Sequence, residues 1–295
     1  MVPQLTRSGA TLIGFTAVLL WSLLAVFTAA SGAMPAFQLT AVTFLIGGLS
    51  LFLIRPRAIA ALRQPAKVWA LGVGGLFIYH FSYYFALRHA PPVEAGLINY
   101  LWPLLIVVFS ALLPGEKLRW QHIAGCALAF AGAALVVTRG ESFTFDSRYT
   151  IGYAAALVAA LSWSSYSVLS RRFAHITSDA IPGFCIATAL LATVCHLLLE
   201  PATIWPTDGV QWAAVIGLGL GPIGLAFYVW DIGVKRGDIQ VLGAASYSAP
   251  LLSTLLLILS GYAAYSHLIA LACLLITAGA MLAAKDLLFR RRRQR

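Results

Sequence analysis

Ten long runs of apolar residues follow one another along the chain, and short connecting segments separate them. About 20 mostly apolar residues in a row are enough to cross the hydrocarbon core of a bilayer as a helix. Because 60% of the 295 residues are apolar and only 10% are charged, a single soluble core could not bury them. The sequence therefore predicts an all-α integral membrane protein. Its ten predicted transmembrane helices occupy residues 9–30, 36–54, 68–87, 93–113, 120–138, 150–170, 181–199, 211–233, 239–260 and 266–288.

Lysine and arginine residues are unevenly divided between the two sides of the membrane that these spans define. With the N-terminus in the cytoplasm, every Lys and Arg falls on the cytoplasmic side except Arg88, Arg139 and Arg148. Cytoplasmic loops of membrane proteins carry an excess of basic residues, so we predict that both termini are cytoplasmic. The basic tail at 285–295 is expected to contact anionic lipid at the membrane surface. A nucleic-acid partner is disfavoured, because this tail directly follows the last membrane helix.

The chain also repeats itself with an offset of 147 residues. The stretch NYLWPLL at 99–105 shares its tyrosine, its proline and two leucines with SYSAPLL at 246–252. The same ungapped register aligns helices 2–5 with helices 7–10, and the first helices of the two halves match at an offset of 142. Because each copy has five helices, the second copy enters the membrane from the opposite side. We therefore predict two inverted repeats, residues 1–148 and 149–295, which form one transport domain around a central cavity.

The repeated motif places polar residues and a proline on one face of each helix. The two sets, spaced i, i+3, i+4 and i+7, are Gly96, Asn99, Tyr100 and Pro103, and Gly243, Ser246, Tyr247 and Pro250. A proline removes a helical hydrogen bond, and carbonyl groups freed in this way at membrane depth need a polar partner. Pro103 and Pro250 are thus predicted to break their helices and to create two facing half-sites.

Aromatic and uncharged polar residues within the spans are the candidate substrate-binding residues. Tryptophans near span ends usually form interfacial belts, but Trp21, Trp102 and Trp163 lie near span centres, where they line a cavity, face lipid or fill packing space. His80 lies within a span, where it either binds a ligand or is a neutral ring bonded to a neighbouring tyrosine. The predicted substrate-binding residues are Trp21, Ser22, Tyr79, His80, Tyr83, Tyr84, Asn99, Tyr100, Trp102, Trp163, Tyr166, Ser246 and Tyr247.

The residues that the spans lack restrict the chemistry further. Glu94 and Asp231 lie near span ends, and no Asp or Glu occupies the middle of a predicted span. A proton-coupled pump or an exporter of cations commonly needs such a carboxylate, so we predict a neutral or zwitterionic ligand that flows down its gradient. The four cysteines form no CxxC pair, and neither a metal-binding cluster nor a catalytic motif is visible. We therefore predict no metal, no cofactor and no catalytic residue.

Several of these features resemble a known family of transporters. The Trp21-Ser22 pair, the proline-containing faces of the fourth and ninth helices and the Gly115-Glu116 pair are similar to the ten-helix, EamA-like metabolite-exporter branch of the drug/metabolite transporter superfamily. The aromatic stretches at 79–84 and 99–103 are similar to those of bacterial aromatic amino acid exporters. The resemblance implies efflux of phenylalanine, tyrosine, tryptophan and related small metabolites across a bacterial inner membrane.

Alternatives remain open at the level of sequence. An aromatic cavity would also accept small drugs or nucleosides. An intramembrane enzyme is a remote alternative, because the chain has no HExxH, no GxGD and no Ser/Lys pair deep in one span. The oligomeric state is also open, with a monomer among the options. Small residues on the fifth and tenth helices permit close packing, within the bundle or between subunits, at Gly125, Gly132, Ala272 and Gly279.

Overall fold

The computed structural model describes residues 5–142, 145–261 and 267–285. Within these ranges the protein is helical and has no strands, and nine of its helices are long and apolar enough to cross a membrane. A tenth apolar helix has 17 residues. In chain order, helices α1 to α10 are Arg7–Ala30, Ala36–Ile54, Ala66–His89, Pro92–Ser110, Trp120–Thr138, Ser147–Phe173, Ser178–Leu199, Gly209–Arg236, Ile239–Leu259 and His267–Ala283. The prediction of an all-α, multi-pass membrane protein is confirmed.

Several span ends differ by a few residues from the sequence-based prediction. The fourth span was expected to reach residue 113, but α4 ends at Ser110 and the chain continues in turns toward Gly115, whose φ is 82°. That backbone conformation favours glycine, which has no Cβ to clash with the neighbouring carbonyl. The basic tail with its predicted lipid contact lies outside the described residues beyond residue 285.

Each helix of the first half has a main partner in the second half. α1 packs along α8, α2 along α7, α3 along α6 and α5 along α10, while α4 packs against α6 with both of its parts and against the first part of α9 with its second part. The α5–α10 contact is backbone to backbone, because a Cβ on Gly125 would lie 2.6 Å from the carbonyl oxygen of Gly279. These glycines therefore serve packing inside the bundle, one of the two roles predicted for them.

Four helices that surround the centre of the bundle are interrupted. α1 has a turn at Ser22 and Leu23, and α8 contains a π-helical segment, Gly219–Leu225, around Pro222. α4 consists of Pro92–Asn99 and Trp102–Ser110, and α9 consists of Ile239–Ser246 and Ser248–Leu259. The breaks in α4 and α9 come just before Pro103 and Pro250, which cannot donate a backbone hydrogen bond.

Charged residues close one end of the bundle, which we call the Arg7 end. Arg7 at the start of α1 lies 3.1 Å from Glu116 and 3.0 Å from Asp238. Arg171 near the end of α6 lies 2.9 Å from the same Glu116. The cluster joins the start of α1, the segment after α4, the end of α6 and the start of α9. It therefore ties together elements of both halves of the chain.

The opposite end, the Arg88 end, holds a buried carboxylate that sequence analysis did not single out. Glu200 directly follows α7, and its side chain is 0% exposed. It accepts hydrogen bonds from the backbone N–H groups of Phe37 and Gln38 at the start of α2, and from Arg88 at 2.9 Å. His196 lies 2.8 Å away on the other carboxylate oxygen. Glu200 thus connects the ends of α2, α3 and α7.

Candidate functional site

Six helices, α1, α3, α4, α6, α8 and α9, surround a cavity of about 360 Å³. The second part of α1, the first part of α4 and the second part of α9 contribute to its wall. Because α1 and α9 start at the Arg7 end whereas α4 ends there, the cavity lies in the half of the bundle nearer the Arg88 end. The lining residues are Trp21, Leu24, Ala25, Thr28, Tyr79, His80, Tyr83, Asn99, Tyr100, Trp102, Trp163, Pro222, Ile223, Phe227, Ala249 and Ser253.

Three tryptophans line the end of the cavity that faces the Arg7 end, a fourth packs against them, and we call all four the tryptophan floor. They are Trp21, Trp102, Trp163 and Trp230. The ring centroid of Trp21 lies 5.6 Å from that of Trp163 and 5.1 Å from that of Trp230. Tilted and edge-on contacts at these distances are favourable for aromatic rings. Trp230 is fully buried beneath the other three rings. The floor therefore separates the cavity from the charged cluster at the Arg7 end.

The interrupted helices hold the indole groups of the floor in place. The Trp21 Nε1–H group donates to the carbonyl oxygen of Pro222, 3.0 Å away in the π-helical segment of α8. Trp230 Nε1 donates to the hydroxyl of Ser167 at 3.1 Å. With its N–H group bonded, Trp21 offers only ring surface to a ligand in the cavity, while Trp230 is fully buried behind it.

One amide group in the cavity wall has an unused acceptor. Asn99 ends the first part of α4, and its Nδ2 donates to the hydroxyl of Tyr79 at 3.3 Å. Its Oδ1 is buried and has no hydrogen-bond partner among the residues that the structure describes. A buried polar atom without a partner costs free energy, and a bound ligand that donates a hydrogen bond would remove that cost.

His80 supplies a second acceptor. Its Nδ1 lies 2.7 Å from the carbonyl oxygen of Leu76, which can only accept, so Nδ1 carries the proton. In the neutral ring Nε2 is then an acceptor. The ring packs edge-on against Phe44 at 4.9 Å and Tyr79 at 5.0 Å. Two roles were predicted for His80, ligand binding or a hydrogen bond to a neighbouring tyrosine. In the structure Nδ1 bonds the backbone of Leu76 rather than a tyrosine, and the ring lines the cavity.

No Asp, Glu, Lys or Arg is among the described residues that line the cavity. A ligand with a net charge would therefore enter an apolar site without a counter-ion, which is costly. The cavity suits a neutral or zwitterionic molecule with an aromatic or apolar body.

Comparison with known proteins identifies the family. The model of the EamA-like transporter family matches residues 8–138 and 150–284. The chain belongs to the EamA-like transporter family. It is 54% identical, over 95% of its length and 98% of the relative's, to a protein of Ancylobacter novellus named aromatic amino acid exporter YddG. It is 28% identical, over 85% of its length and 88% of the relative's, to a protein of the same name from Escherichia coli.

A solved crystal structure has the same fold as this EamA-like transporter. The two chains are 54% identical and superpose with a TM-score of 0.89, covering 94% of this chain and 98% of the other. The resemblance predicted from the sequence is confirmed. Membership in a family of transporters also decides against the intramembrane-enzyme alternative.

In this EamA-like transporter, the structure brings most of the predicted binding residues together around the cavity. Those that line it are Trp21, Tyr79, His80, Tyr83, Asn99, Tyr100, Trp102 and Trp163. Of the face that the helical spacing of the motif predicts, Asn99 and Tyr100 line the cavity, whereas Gly96 and Pro103 are not among its lining residues. Whether these residues bind substrate stays a prediction.

The remaining predicted residues lie away from the cavity. The hydroxyls of Ser22 and Ser246 donate to carbonyl oxygens of their own helices, at 2.6 and 2.7 Å. The Tyr84 hydroxyl bonds Thr40 at 3.2 Å, and the Tyr247 hydroxyl accepts from the backbone N–H of Leu104 at 3.2 Å. Tyr166 is buried behind Trp163. The expectation of two facing half-sites therefore needs correction, because only the Asn99 half-site faces the cavity in this conformation.

Several lining residues were not predicted from the sequence. Phe227 and Ala249 lie 147 positions after His80 and Trp102, so the repeat register could have identified them. Pro222 could have been identified as a proline between glycines within a predicted span. The small and aliphatic residues carry no signal of their own, since similar residues occur throughout every span; they are Leu24, Ala25, Thr28, Ile223 and Ser253.

Proposed function

We propose that this protein exports aromatic amino acids, and related small metabolites, across a bacterial inner membrane. The observation that carries the proposal is an uncharged cavity with aromatic walls, lined also by Asn99, whose buried Oδ1 has no partner among the described residues. Two relatives named aromatic amino acid exporter support it, since one of them is 54% identical over nearly the whole chain.

The cavity has partners for each part of such a ligand. The ring of the ligand packs against the tryptophan floor and against Tyr79 and Tyr83, whose own rings stack at 6.2 Å. The ammonium group donates to Asn99 Oδ1 and to Nε2 of His80, and the aromatic faces attract its charge. The hydroxyl of Tyr83 or of Tyr100 donates to the carboxylate. Since the ligand is zwitterionic, no net charge is buried.

We further propose that the protein works by alternating access between two inverted repeats, residues 1–148 and 149–295. The packing pattern supports this. If the two halves are exchanged, the α1–α8 contact becomes the α6–α3 contact, while the α2–α7, α4–α9 and α5–α10 contacts map onto themselves. Exchange of two equivalent conformations is how inverted repeats move a central site from one side to the other.

The charge distribution supports an orientation. With both termini in the cytoplasm, the Arg7 end faces inward and the Arg88 end faces outward. The cavity is then on the outer side, and the tryptophan floor and the cluster around Glu116 close the inner side. To take up substrate from the cytoplasm, the protein must open this inner closure.

The experiment that tests the proposed function is transport by the purified protein in liposomes. We expect labelled phenylalanine, tyrosine and tryptophan to leave preloaded liposomes, and unlabelled aromatic amino acids to compete with one another. Competition by nucleosides or small drugs that is stronger than competition by tryptophan would favour the alternative exporter. Absence of transport of all three aromatic amino acids would contradict the proposal.

We expect flow without obligatory proton coupling, because no carboxylate is found among the described cavity-lining residues. An imposed pH gradient should leave the final distribution of phenylalanine across the liposome membrane unchanged. The measurement is the internal concentration of labelled phenylalanine at steady state, with and without an ionophore that collapses the gradient. Accumulation above equilibrium, lost when the ionophore is added, would overturn this prediction.

Asn99→Ala should lower phenylalanine transport by about tenfold, because a ligand N–H group would lose its buried acceptor. Leu259→Ala is the control: Leu259 is 83% exposed on the outside of α9, and its truncation should leave transport unchanged. Initial rates per folded protein in liposomes give the comparison. Equal rates for the two variants would show that Asn99 does not bind substrate.

A further inference from the structure

A second, much smaller cavity lies in the half of the bundle nearer the Arg7 end. Its volume is about 20 Å³, room for a single water molecule. α3, α6, α7 and α8 surround it, and its polar lining residues are Tyr166, Ser170, Asp231 and Lys235. The tryptophan floor, to which Trp163 and Trp230 belong, separates it from the main cavity, which has no charged lining residue among those described.

The charged residues of the small cavity form an ion pair deep in the protein. Lys235 Nζ lies 2.7 Å from Asp231 Oδ2, and the two side chains are 8% and 2% exposed. Asp231 also accepts from the hydroxyl of Ser178 at 2.6 Å, and Lys235 donates to the carbonyl of Ile176 at 3.0 Å. Burying an ion pair costs desolvation energy that mutual attraction often only offsets, so stability alone is a weak reason for such a pair.

The hydroxyl of Tyr166 is a second, independent observation that points to a ligand. Tyr166 is 3% exposed, and its hydroxyl has no hydrogen-bond partner within the described ranges of the chain. Asp231 and Ser170 line the same small cavity as Tyr166. A phenolic hydroxyl both donates and accepts, so a polar molecule in this cavity would find an unused group beside the ion pair.

The repeat register relates this small cavity to the main one. At the offset of 142 that aligns the first helices of the two halves, Tyr166 matches Leu24 and Ser170 matches Thr28. Leu24 and Thr28 line the main cavity on α1. An exchange of the two halves, as proposed above, would therefore open a cavity toward the Arg7 end along Tyr166 and Ser170. At the offset of 147, Asp231 and Lys235 match Tyr84 and Arg88, which do not line the main cavity, so the ion pair beside Tyr166 has no counterpart there.

We propose that the small cavity is the closed form of a cytoplasmic loading site for the α-amino acid zwitterion. When the Arg7 end opens, Asp231 binds the substrate ammonium group, and Lys235 and the Tyr166 hydroxyl bind its carboxylate. One ion pair within the protein is thereby exchanged for two with the substrate, and no net charge enters the membrane. The proposal deepens the proposed function and rests on it.

Substrate selectivity tests this role, because a purely structural ion pair would not change it. In inside-out membrane vesicles, which present the Arg7 end outward, the initial rates of phenylalanine and phenylalanine amide uptake are compared. The amide has an ammonium group but no carboxylate. Lys235→Met leaves Asp231 without a cation, so the preference for phenylalanine over the amide should fall by about tenfold or more.

Arg88→Met is the matched control. Arg88 is the basic residue 147 positions before Lys235, and it lies at the opposite end of the bundle. The Arg88→Met variant should keep the wild-type preference for phenylalanine over phenylalanine amide. An unchanged preference in Lys235→Met, in a variant that still transports phenylalanine, would overturn the loading site.

Tyr166→Phe decides the question if Lys235→Met does not fold. It removes one hydroxyl that bonds nothing in the described structure, so the bundle should keep its stability. The KM for phenylalanine should rise by about threefold or more in inside-out vesicles and stay unchanged in right-side-out vesicles. A KM unchanged in both would refute the loading site. If wild-type vesicles do not transport phenylalanine at all, the proposed function itself fails.

Discussion

Trp163→Ala is expected to reduce phenylalanine transport by at least about tenfold per folded protein, since the variant loses a ring at the centre of the cavity floor. The Trp163 ring lies 5.6 Å from both Trp21 and Tyr79 and 6.3 Å from Trp102. Alanine would leave a hole between three rings that remain in place, so a bound aromatic ligand would lose both contact and orientation. Initial rates of efflux from liposomes measure the effect.

The same substitution removes a buried side chain, so its effect on folding must be measured separately. Trp163 is 3% exposed, and replacing a buried tryptophan by alanine typically costs about 3–5 kcal/mol. Trp163→Phe retains a ring of smaller size and should fold while transporting at an intermediate rate. Trp205→Ala, at a tryptophan that is 52% exposed, should leave transport unchanged. If Trp163→Ala lowered only the yield of folded protein, with a normal rate per molecule, Trp163 would be a packing residue.

The spans could be predicted from the sequence because lipid imposes one simple requirement on each of them. Each span must contain about 20 mostly apolar residues, and this pattern can be recognised without knowledge of neighbouring helices. The breaks in α4 and α9 carry a local signal as well, since Pro103 and Pro250 remove helical donors. The turn at Ser22 and Leu23 in α1 carries no such signal. It is accompanied by the bond from Trp21 to Pro222, which is 201 residues away in the chain.

The candidate site could be predicted only in part. The helix face on which a residue lies follows from its local spacing in the sequence, but the conformation of the whole bundle does not. The spacing of Asn99 and Tyr100 places them on one face, and both line the cavity. Tyr247 has the same position in the second copy of the motif, yet it is fully buried against Phe130 and the α4 backbone. Two copies of one motif thus have different surroundings. In the proposed alternating access, which copy faces a cavity depends on which end of the bundle is open, and sequence does not specify that.

The serines show a second limit of prediction from spacing. Ser22 and Ser246 lie on suitable helix faces, but each donates its hydroxyl hydrogen to a carbonyl of the preceding helical turn. Serine commonly makes this local bond within membrane helices, where water is absent. A hydroxyl that is satisfied locally has less to offer a ligand than Asn99 Oδ1, which has no partner among the described residues.

Glu200→Ala is expected to be the most destabilising single change at the Arg88 end. The carboxylate is 0% exposed and is bonded to two backbone N–H groups, to Arg88 and to His196. Its removal leaves these donors without their acceptor, and each buried backbone N–H left unpaired costs about 1–3 kcal/mol, whereas Arg88 is 44% exposed and can be solvated. This role of Glu200 could not be predicted from the sequence, because its partners on α2 and α3 are more than 100 residues away in the chain. Thermal unfolding of the detergent-solubilised protein measures the loss.

The melting temperature of Glu200→Ala should fall by at least about 5 °C relative to the wild type. Glu200→Gln should lie between the two, because its amide oxygen can still accept from the start of α2 while the charge opposite Arg88 is lost. Glu141→Ala is the matched control, since Glu141 is exposed in the segment after α5. Equal melting temperatures for the alanine variants at 200 and 141 would mean that the buried carboxylate does not hold the ends of α2, α3 and α7 together. A smaller fall for Arg88→Met than for Glu200→Ala would locate the stabilisation in the carboxylate itself, because three of its four partners remain when Arg88 is removed.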